Sequence, residues 1–384
     1  MKSRIPLAWL QLAHERLRLL AATAGIAFAV ILMLMQLGFQ DAMLNSAGVQ
    51  FRHMSCDLAL VSPQYQHLLT FAVFPERRLY QCLAMDGVDS VEPVYLGQAP
   101  WKSPWTRRDR TILMIAFQPR PGYFDLPGVD QHLGALKQDD TLLFDRRARP
   151  EFGPVGRELD AGRRVITEIA GRRVEAVGTF TMGTSFGVDG TVIMSDRSFF
   201  RILSFRKREL VNVGLIRLKP GFDAERVRAQ LAATLPGDVN VVTHEGLVDL
   251  ERTFWSTNTP VGFVFQLGLS IGMLVGCVIV YQILYTDVSD HLQEYATLKA
   301  MGYRDRYLFG VVMQESVILS VFGFLPGLAI SRVLYRFAEE ATLLPLTMAP
   351  DRIAAVYGLT LGMCMVSGAF AMRRLRRAAP AEIF

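Results

Sequence analysis

The feature that most constrains this chain is a set of long runs without charge. The first, Leu19–Gln40, has no charged residue and is about as long as the roughly 20 residues that a helix needs to cross a bilayer. Similar runs extend over Thr253–Thr286 and Ile353–Met372, and another, Tyr307–Tyr335, is interrupted by two charged residues. A backbone in lipid must satisfy its own hydrogen bonds. The sequence therefore predicts an α-helical membrane protein with four transmembrane helices.

Composition agrees with that class. Hydrophobic residues make up 51% of the 384 residues, and the mean hydropathy is +0.25, which is too apolar for an ordinary soluble enzyme. The net charge of +5 could suggest nucleic acid, but the basic residues concentrate beside the apolar runs, where they set membrane orientation. We expect no nucleic-acid partner.

The basic residues indicate which side of the membrane each segment occupies. Residues 1–18 combine four Lys and Arg residues with leucines and Trp9, a pattern typical of an amphipathic helix at the inner interface. A cleaved secretory signal is the alternative, but the run that follows is too long and no clear small-residue cleavage site comes after it. Basic residues also follow the last run, whereas the connection Ala338–Pro350 has none. The positive-inside rule therefore predicts cytoplasmic termini in a bacterial inner membrane.

These observations divide the chain into nine segments. In order they are an interfacial amphipathic helix (1–18), a first transmembrane helix (19–44), a periplasmic α+β domain (45–252), a second transmembrane helix with a stalk (253–286), a cytoplasmic coupling segment (287–306), a third transmembrane helix (307–337), a short periplasmic loop (338–351), a fourth transmembrane helix (352–372) and a basic cytoplasmic tail (373–384).

The periplasmic segment has the alternation of a folded α+β domain. Strands are predicted at Cys56–Val61, Ser90–Leu96, Thr111–Phe117, Arg173–Phe180, Thr191–Met194 and Asn212–Leu218, and helices at Phe74–Met85 and Ala224–Leu235. Asp249–Asn258 could extend the second transmembrane helix outward as a stalk, although Pro260 could bend it.

A short polar island between the second and third runs is the first candidate site. Apolar residues recur there at helical spacing, Asp290 with Gln293 resembles a capping box, and Gly302 is a plausible helix stop. The spacing predicts a short amphipathic helix with a free apolar side, which is a candidate contact for another protein, and a solvated connector is the alternative. The candidate contact residues are Glu294, Tyr295, Ala296, Thr297, Leu298, Lys299, Met301 and Gly302.

No nucleotide site is expected in this chain. A P-loop needs a glycine immediately before its lysine, and none of the six lysines follows a glycine. If ATP drives this protein, ATP and Mg²⁺ must bind a separate ATPase. We therefore expect no catalytic residue and no cofactor here.

Two other patterns concern the membrane helices. Gly268, Gly272 and Gly276 form overlapping Gly-x-x-x-Gly motifs, which allow another helix to approach closely, either within the subunit or at a dimer seam. Glu315 interrupts the third run, and a carboxylate at that depth should face the protein interior, pair or reach the interface. We interpret it as a polar tether; the alternative is a proton relay.

In the periplasmic segment, Cys56 and Cys82 could form a disulfide, the alternative being two free thiols. Gly183–Gly187 matches the nucleophile-elbow pattern around Ser185, but a strand-like run follows it instead of a helix, so we interpret it as a hairpin loop. The six histidines have no metal-ligand spacing, and we expect no metal site.

Three stretches resemble a known family. Glu294–Gly302 resembles the loop between the second and third spans of ABC permeases of the MacB/FtsX superfamily, and with Tyr303 it is most similar to DevC-type exporter permeases. Residues 25–39 and the terminal Pro380–Phe384 agree, although Ala379 stands where the family tail usually carries an acidic residue.

The resemblance implies a homodimeric permease subunit that docks an ABC ATPase. It further implies a periplasmic adaptor protein and an outer-membrane channel as partners, with a lipid or glycolipid as one candidate substrate. A lipoprotein-release permease and an FtsX-like regulator of a cell-wall hydrolase share the architecture and remain alternatives. From another class, a membrane-anchored enzyme or a sensor with a binding domain remains open.

Overall fold

The computed structural model describes residues 16–291, 293–294, 297 and 300–375. It divides into two compact units. The helical unit contains the chain up to Asp41, Pro260–Ala341 and the chain from Leu346 onward, and the sheet unit contains Ala42–Thr259 with Thr342–Pro345.

The helices, in chain order, are α1 (Arg16–Ser46), α2 (Val49–Arg52), α3 (Arg77–Leu83), α4 (Leu133–Leu136), α5 (Val155–Asp160), α6 (Asp196–Ile202), α7 (Ala224–Thr234), α8 (His244–Thr257), α9 (Pro260–Asp290), α10 (Asp305–Thr342) and α11 (Pro350–Leu375). The strands are β1 (Leu58–Val61), β2 (Phe74–Pro75), β3 (Val88–Lys102), β4 (Asp109–Phe117), β5 (Thr141–Asp145), β6 (Val165–Ile169), β7 (Arg172–Phe180), β8 (Thr191–Ser195), β9 (Leu210–Val211), β10 (Val213–Leu218) and β11 (Asn240–Thr243).

Four of these helices, α1, α9, α10 and α11, are long and apolar enough to cross a membrane. Each contains most or all of one of the four apolar runs, so the prediction of a four-helix membrane protein with an inserted α+β domain is confirmed. The helices exceed the predicted runs by a turn or more at several ends, because polar residues continue a helix beyond its apolar part.

The sheet unit is built on one mixed nine-stranded sheet of order β11–β1–β10–β3–β4–β8–β5–β7–β6. Its first four strands are all antiparallel, and α3 and α7 connect them in a split β-α-β pattern of the ferredoxin-like type. The remaining strands are inserted between β3 and β10.

The long strand β3 joins the two parts of the sheet. Val88–Val94 pairs with β10, and Tyr95–Lys102 pairs with β4. At its far end, Trp101 and Lys102 also pair with β6, which closes β3, β4, β8, β5, β7 and β6 into a ring. Closure removes the open edges that those strands would otherwise expose.

Period-two alternation places the two hydrophobic cores on opposite faces of the sheet. Leu58 and Leu60 of β1 belong to one core, and Ala59 and Val61 belong to the other. In the first core Trp101 packs against Phe144, with ring centroids 5.3 Å apart.

This arrangement rules out the predicted disulfide. Cys82 lies in the first core, where its thiol donates a hydrogen bond to the Arg78 carbonyl at 3.2 Å, and Cys56 packs against the second core. Both thiols are free. Of the two alternatives for Cys56 and Cys82, the structure shows two free thiols and contradicts the possible bridge, because the sheet separates the two residues.

The sequence left open whether the second span continues outward as a stalk or is interrupted at Pro260. The structure shows an interruption, because α8 ends at Thr257 and α9 begins separately at Pro260. Proline has no N–H to donate, so it is well tolerated in the first turn of a helix, where that group has no partner. The chain therefore passes from the sheet unit to the helical unit at Thr259–Pro260, several residues after the predicted boundary.

Helix α8 is fixed to the sheet unit through one buried carboxyl group. Glu251 is 3% exposed and accepts hydrogen bonds from the Tyr65 hydroxyl at 2.5 Å, the Leu68 backbone and the Trp255 indole. Burial outweighs these three donors and raises the pKa of Glu251 to about 7. Near neutral pH the Glu251 carboxyl group is therefore partly protonated.

This raised pKa predicts a pH dependence of stability. Because the folded state holds the Glu251 proton more tightly than the unfolded state, the free energy of unfolding should fall as pH rises from about 4.5 to about 7, by on the order of 3 kcal/mol. Hydrogen exchange of α8 amides in the full chain measures this. Glu251→Gln should flatten the profile, whereas Glu245→Gln, an exposed control on the same helix, should not. Identical pH profiles of hydrogen exchange in the two variants would contradict the assignment of the pH dependence to Glu251.

Candidate functional site

The candidate coupling segment connects α9 to α10 and is described in part. Of the predicted contact residues, Tyr295, Ala296, Leu298 and Lys299 lie outside the described residues, and Glu294 and Thr297 are helical. The Thr297 hydroxyl donates to the Gln293 carbonyl at 2.9 Å, and the Met301 amide donates to the Thr297 carbonyl at 3.0 Å. The described part therefore has the hydrogen bonds of an α-helix.

The helical turn ends at Gly302, whose φ of 94° lies in the region that favours glycine. Around it, Met301 is 64% exposed and Tyr303 is 45% exposed. The ring of Tyr303 packs on that of Tyr307, with centroids 4.9 Å apart. An exposed apolar surface thus lies at the end of the connection, as an interaction surface for another protein would.

Both ends of the connection are held by one small hydrophobic core. Val288 near the end of α9 packs with Leu308 and Val312 near the start of α10, and with Met372 near the end of α11. A displacement of the connection must therefore move these three helix ends together, because a packed core resists separation of its parts.

A cluster of charged side chains lies beside this core. The Arg18 guanidinium of α1 is 2.6 Å from the Asp290 carboxylate and 3.8 Å from that of Asp287 on α9. Asp287 is buried, and the His291 ring nitrogen lies 2.9 Å from its carbonyl oxygen. The start of α1 is therefore tied to the residues from which the coupling segment begins.

Glu315 of α10 is fully buried within the helical unit. Among the described residues, none hydrogen bonds to either of its carboxylate oxygens, while the Asp287 carboxylate is near enough to repel it. The side chain thus faces the protein interior, one of the three placements expected for it. Its role as a tether stays a prediction.

The glycine stripe of α9 packs against α1 of the same chain. A Cβ at Gly268 would lie 2.3 Å from the Gln36 side chain, and one at Gly276 would lie 2.8 Å from the Ala29 Cβ and 2.3 Å from the Met363 Sδ of α11. At Gly272 the nearest atom, the Leu32 Cβ, would be 3.4 Å away. Of the two alternatives for the stripe, the structure shows packing within the subunit.

Two glycines of α10 pack on α1 in the same way. A Cβ at Gly323 would be 2.4 Å from Ile26, and one at Gly327 would be 2.9 Å from Val30. Helix α1 is thus the common partner of α9 and α10. Lipid tails are as apolar as the side chains, so burying an apolar side chain between two helices adds little stability in the membrane. Close approach of the backbones is therefore a main source of helix association there.

A second polar cluster, which the sequence did not predict, lies at the other end of the helical unit. Arg352 of α11 pairs with Asp41 of α1 and donates to the Tyr335 hydroxyl at 3.2 Å. The Tyr335 hydroxyl in turn donates to the Leu34 carbonyl at 2.5 Å. The one available signal was an acidic and a basic residue, each just outside an uncharged run.

The catalytic alternative gains no support from the sheet unit. Ser185 forms a tight hairpin with Val188, with reciprocal backbone hydrogen bonds of 3.0 and 3.2 Å, so the hairpin interpretation is confirmed. Its hydroxyl accepts a 3.4 Å hydrogen bond from Gln50. Within the described part of the chain, no three His, Cys, Asp or Glu residues are arranged to hold a metal ion.

Comparison with known proteins places these features in a family. Residues 19–234, more than half of the chain, match the MacB-like periplasmic core domain, and residues 267–380 match the FtsX-like permease C-terminal domain. A search of curated proteins gave no match.

Two solved structures are similar to about half of this chain. The periplasmic region of MacB from Actinobacillus actinomycetemcomitans is similar at 7% identity, covering 50% of this chain and 91% of that one, with a TM-score of 0.34. The extracellular domain of the noncanonic ABC-type transporter YknZ from Gram-positive bacteria is similar at 16% identity, covering 48% and 99%, with a TM-score of 0.33.

Four apolar helices and a large domain inserted after the first of them define a permease subunit of the ABC type. The chain belongs to the MacB/FtsX permease superfamily. Its second unit is accordingly a periplasmic or extracellular domain, and the family implies an ABC ATPase as partner.

The glycine contacts predict different outcomes for two matched substitutions in one helix. Gly276→Ala should destabilise the helical unit by about 1–3 kcal/mol because its Cβ meets Met363 of α11 and Ala29 of α1, whereas Gly272→Ala should be neutral or stabilising because it has room and alanine favours the helix. The measurement is the thermal unfolding midpoint of the purified chain. Equal midpoints would contradict the close packing around Gly276.

Proposed function

We propose that this chain transmits the energy of ATP hydrolysis from a separate ATPase to its own extracytoplasmic domain, as the mechanical subunit of an exporter. The observation that carries the proposal is the connection between α9 and α10. It exposes Met301 and Tyr303 for contact, while Val288 and Leu308 at its two ends share one core. A push on the connection would therefore reach α9 directly.

The chain continues from α9 to the sheet unit over a very short distance. Helix α8 ends at Thr257 and α9 begins at Pro260, so two residues separate them. So short a link transmits displacement better than a long flexible loop would. Glu251 then holds α8 to the sheet unit through three hydrogen bonds.

The proposal includes the partners that the sequence resemblance implies. The ATPase, with its ATP and Mg²⁺, would dock on the coupling segment at the cytoplasmic face, and two copies of this chain would form the transporter. The DevC resemblance supports an adaptor protein and an outer-membrane channel beyond the membrane, with export of a lipid or glycolipid. The basic residues around the ends of the apolar runs support cytoplasmic termini.

The test is the ATPase activity of the copurified complex in proteoliposomes. Met301→Asp puts a charge into the exposed apolar contact, and we expect about a 30-fold weaker ATPase association, as for a typical interface hot spot. Reversal of charge at Glu294 or at Lys299 should lower coupled ATP hydrolysis in the same direction.

Phe205→Asp is the matched control, because Phe205 is 79% exposed on the sheet unit. Normal ATPase association and coupling in Met301→Asp, Glu294→Lys and Lys299→Glu would mean that the segment is only a connector.

A further inference from the structure

A groove runs between α9 and α11. It has a volume of about 890 Å³. Its α9 wall contains Cys277, Val278 and Tyr281, and its α11 wall contains Ser367 and Phe370. Arg373, in the last turn of α11, lines its end. The groove thus has apolar walls along its length and one cationic end.

A hydrogen bond joins the two helices that form the groove. The Ser367 hydroxyl donates to the Cys277 carbonyl at 2.9 Å, so these polar groups of the walls are satisfied without a ligand. At the rims, Val278 is 55% exposed and Phe370 is 59% exposed. An apolar chain lying between these rims would cover them both.

The charge at the end of the groove selects the kind of occupant. Arg373 is exposed and, among the described residues, forms no ion pair. It begins the sequence Arg373–Arg377, in which four of five residues are arginine. Arginine pairs well with phosphate oxygens because its planar fork donates two hydrogen bonds at once.

A second copy of this chain fits the groove less well. A symmetric contact brings the same patch of both copies together, so the two Arg373 side chains would approach each other. An anionic phospholipid instead supplies an apolar chain for the walls and a phosphate for the cationic end.

We propose that the groove between α9 and α11 binds one anionic phospholipid, with an acyl chain along Val278 and Phe370 and the phosphate at Arg373. The site lies at the coupling end of the helical unit, because Met372, next to Arg373, packs with Val288 and Leu308. Bound lipid would therefore brace the helix ends from which the coupling segment extends.

The experiment is native mass spectrometry of the purified full chain, titrated with phosphatidylglycerol, with phosphatidylcholine and with inorganic phosphate. We expect phosphatidylglycerol to be retained about fivefold better than phosphatidylcholine, the preference that one arginine near a membrane surface provides. Arg373→Gln should remove most of that preference, because Arg373 is the arginine that lines the groove. Arg336→Gln, an exposed arginine toward the opposite end of the helical unit, should keep it.

A second variant tests the acyl chain separately from the charge. Val278→Trp fills the groove at an exposed position and should reduce retention of both phospholipids while Arg373 stays intact. Equal retention of the two lipids by the wild type, equal losses in Arg373→Gln and Arg336→Gln, or inorganic phosphate displacing the lipid would overturn the proposal. So would efficient self-crosslinking of Val278→Cys, because a second copy would then occupy the groove.

Discussion

The helical unit depends on the close approach of two helices to α1. Glycines on α9 and α10 leave no side chain between the backbones, and a Cβ at Gly268, Gly276, Gly323 or Gly327 would lie within 3 Å of an α1 side chain. Lipid supplies little hydrophobic driving force between helices, so this packing needs polar support. The Arg18–Asp290 pair gives it at one end of α1, and the Asp41–Arg352 pair gives it at the other.

This packing explains how the proposed coupling would work without chemistry in this chain. Close-packed helices have low compressibility and transmit strain to their neighbours, and rigid-body displacement is one established form of switching. The connection between α9 and α10 is fixed to the common core of Val288 and Leu308, and α9 leads within two residues to α8. In the proposed coupling, the extracytoplasmic domain would thus be reached through packed helices and one very short link.

Local sequence patterns predict part of this structure, and the rest depends on contacts between residues that are far apart in the sequence. Uncharged length and alternation predicted the four spans and most central strands, because both reflect local burial. The closure of β3 by β6 and the Asp41–Arg352 pair join distant residues, and local patterns carry no signal for them. Whether Cys56 and Cys82 are bridged could not be predicted, because local sequence does not show on which face of the sheet each cysteine packs. The glycine stripe predicted a close helix contact, but the sequence did not identify α1 as the partner.

The central claim is that nucleotide binding by the ATPase moves the extracytoplasmic domain through the coupling segment. Pulsed electron-electron double resonance between spin labels on the domains of a reconstituted complex tests it most directly, with and without ATP and vanadate. The account predicts a nucleotide-dependent change of distance that disappears when Met301→Asp is present, even at ATPase concentrations that restore binding. A change of distance that persists in saturated Met301→Asp complexes, or none in the wild type, would contradict it.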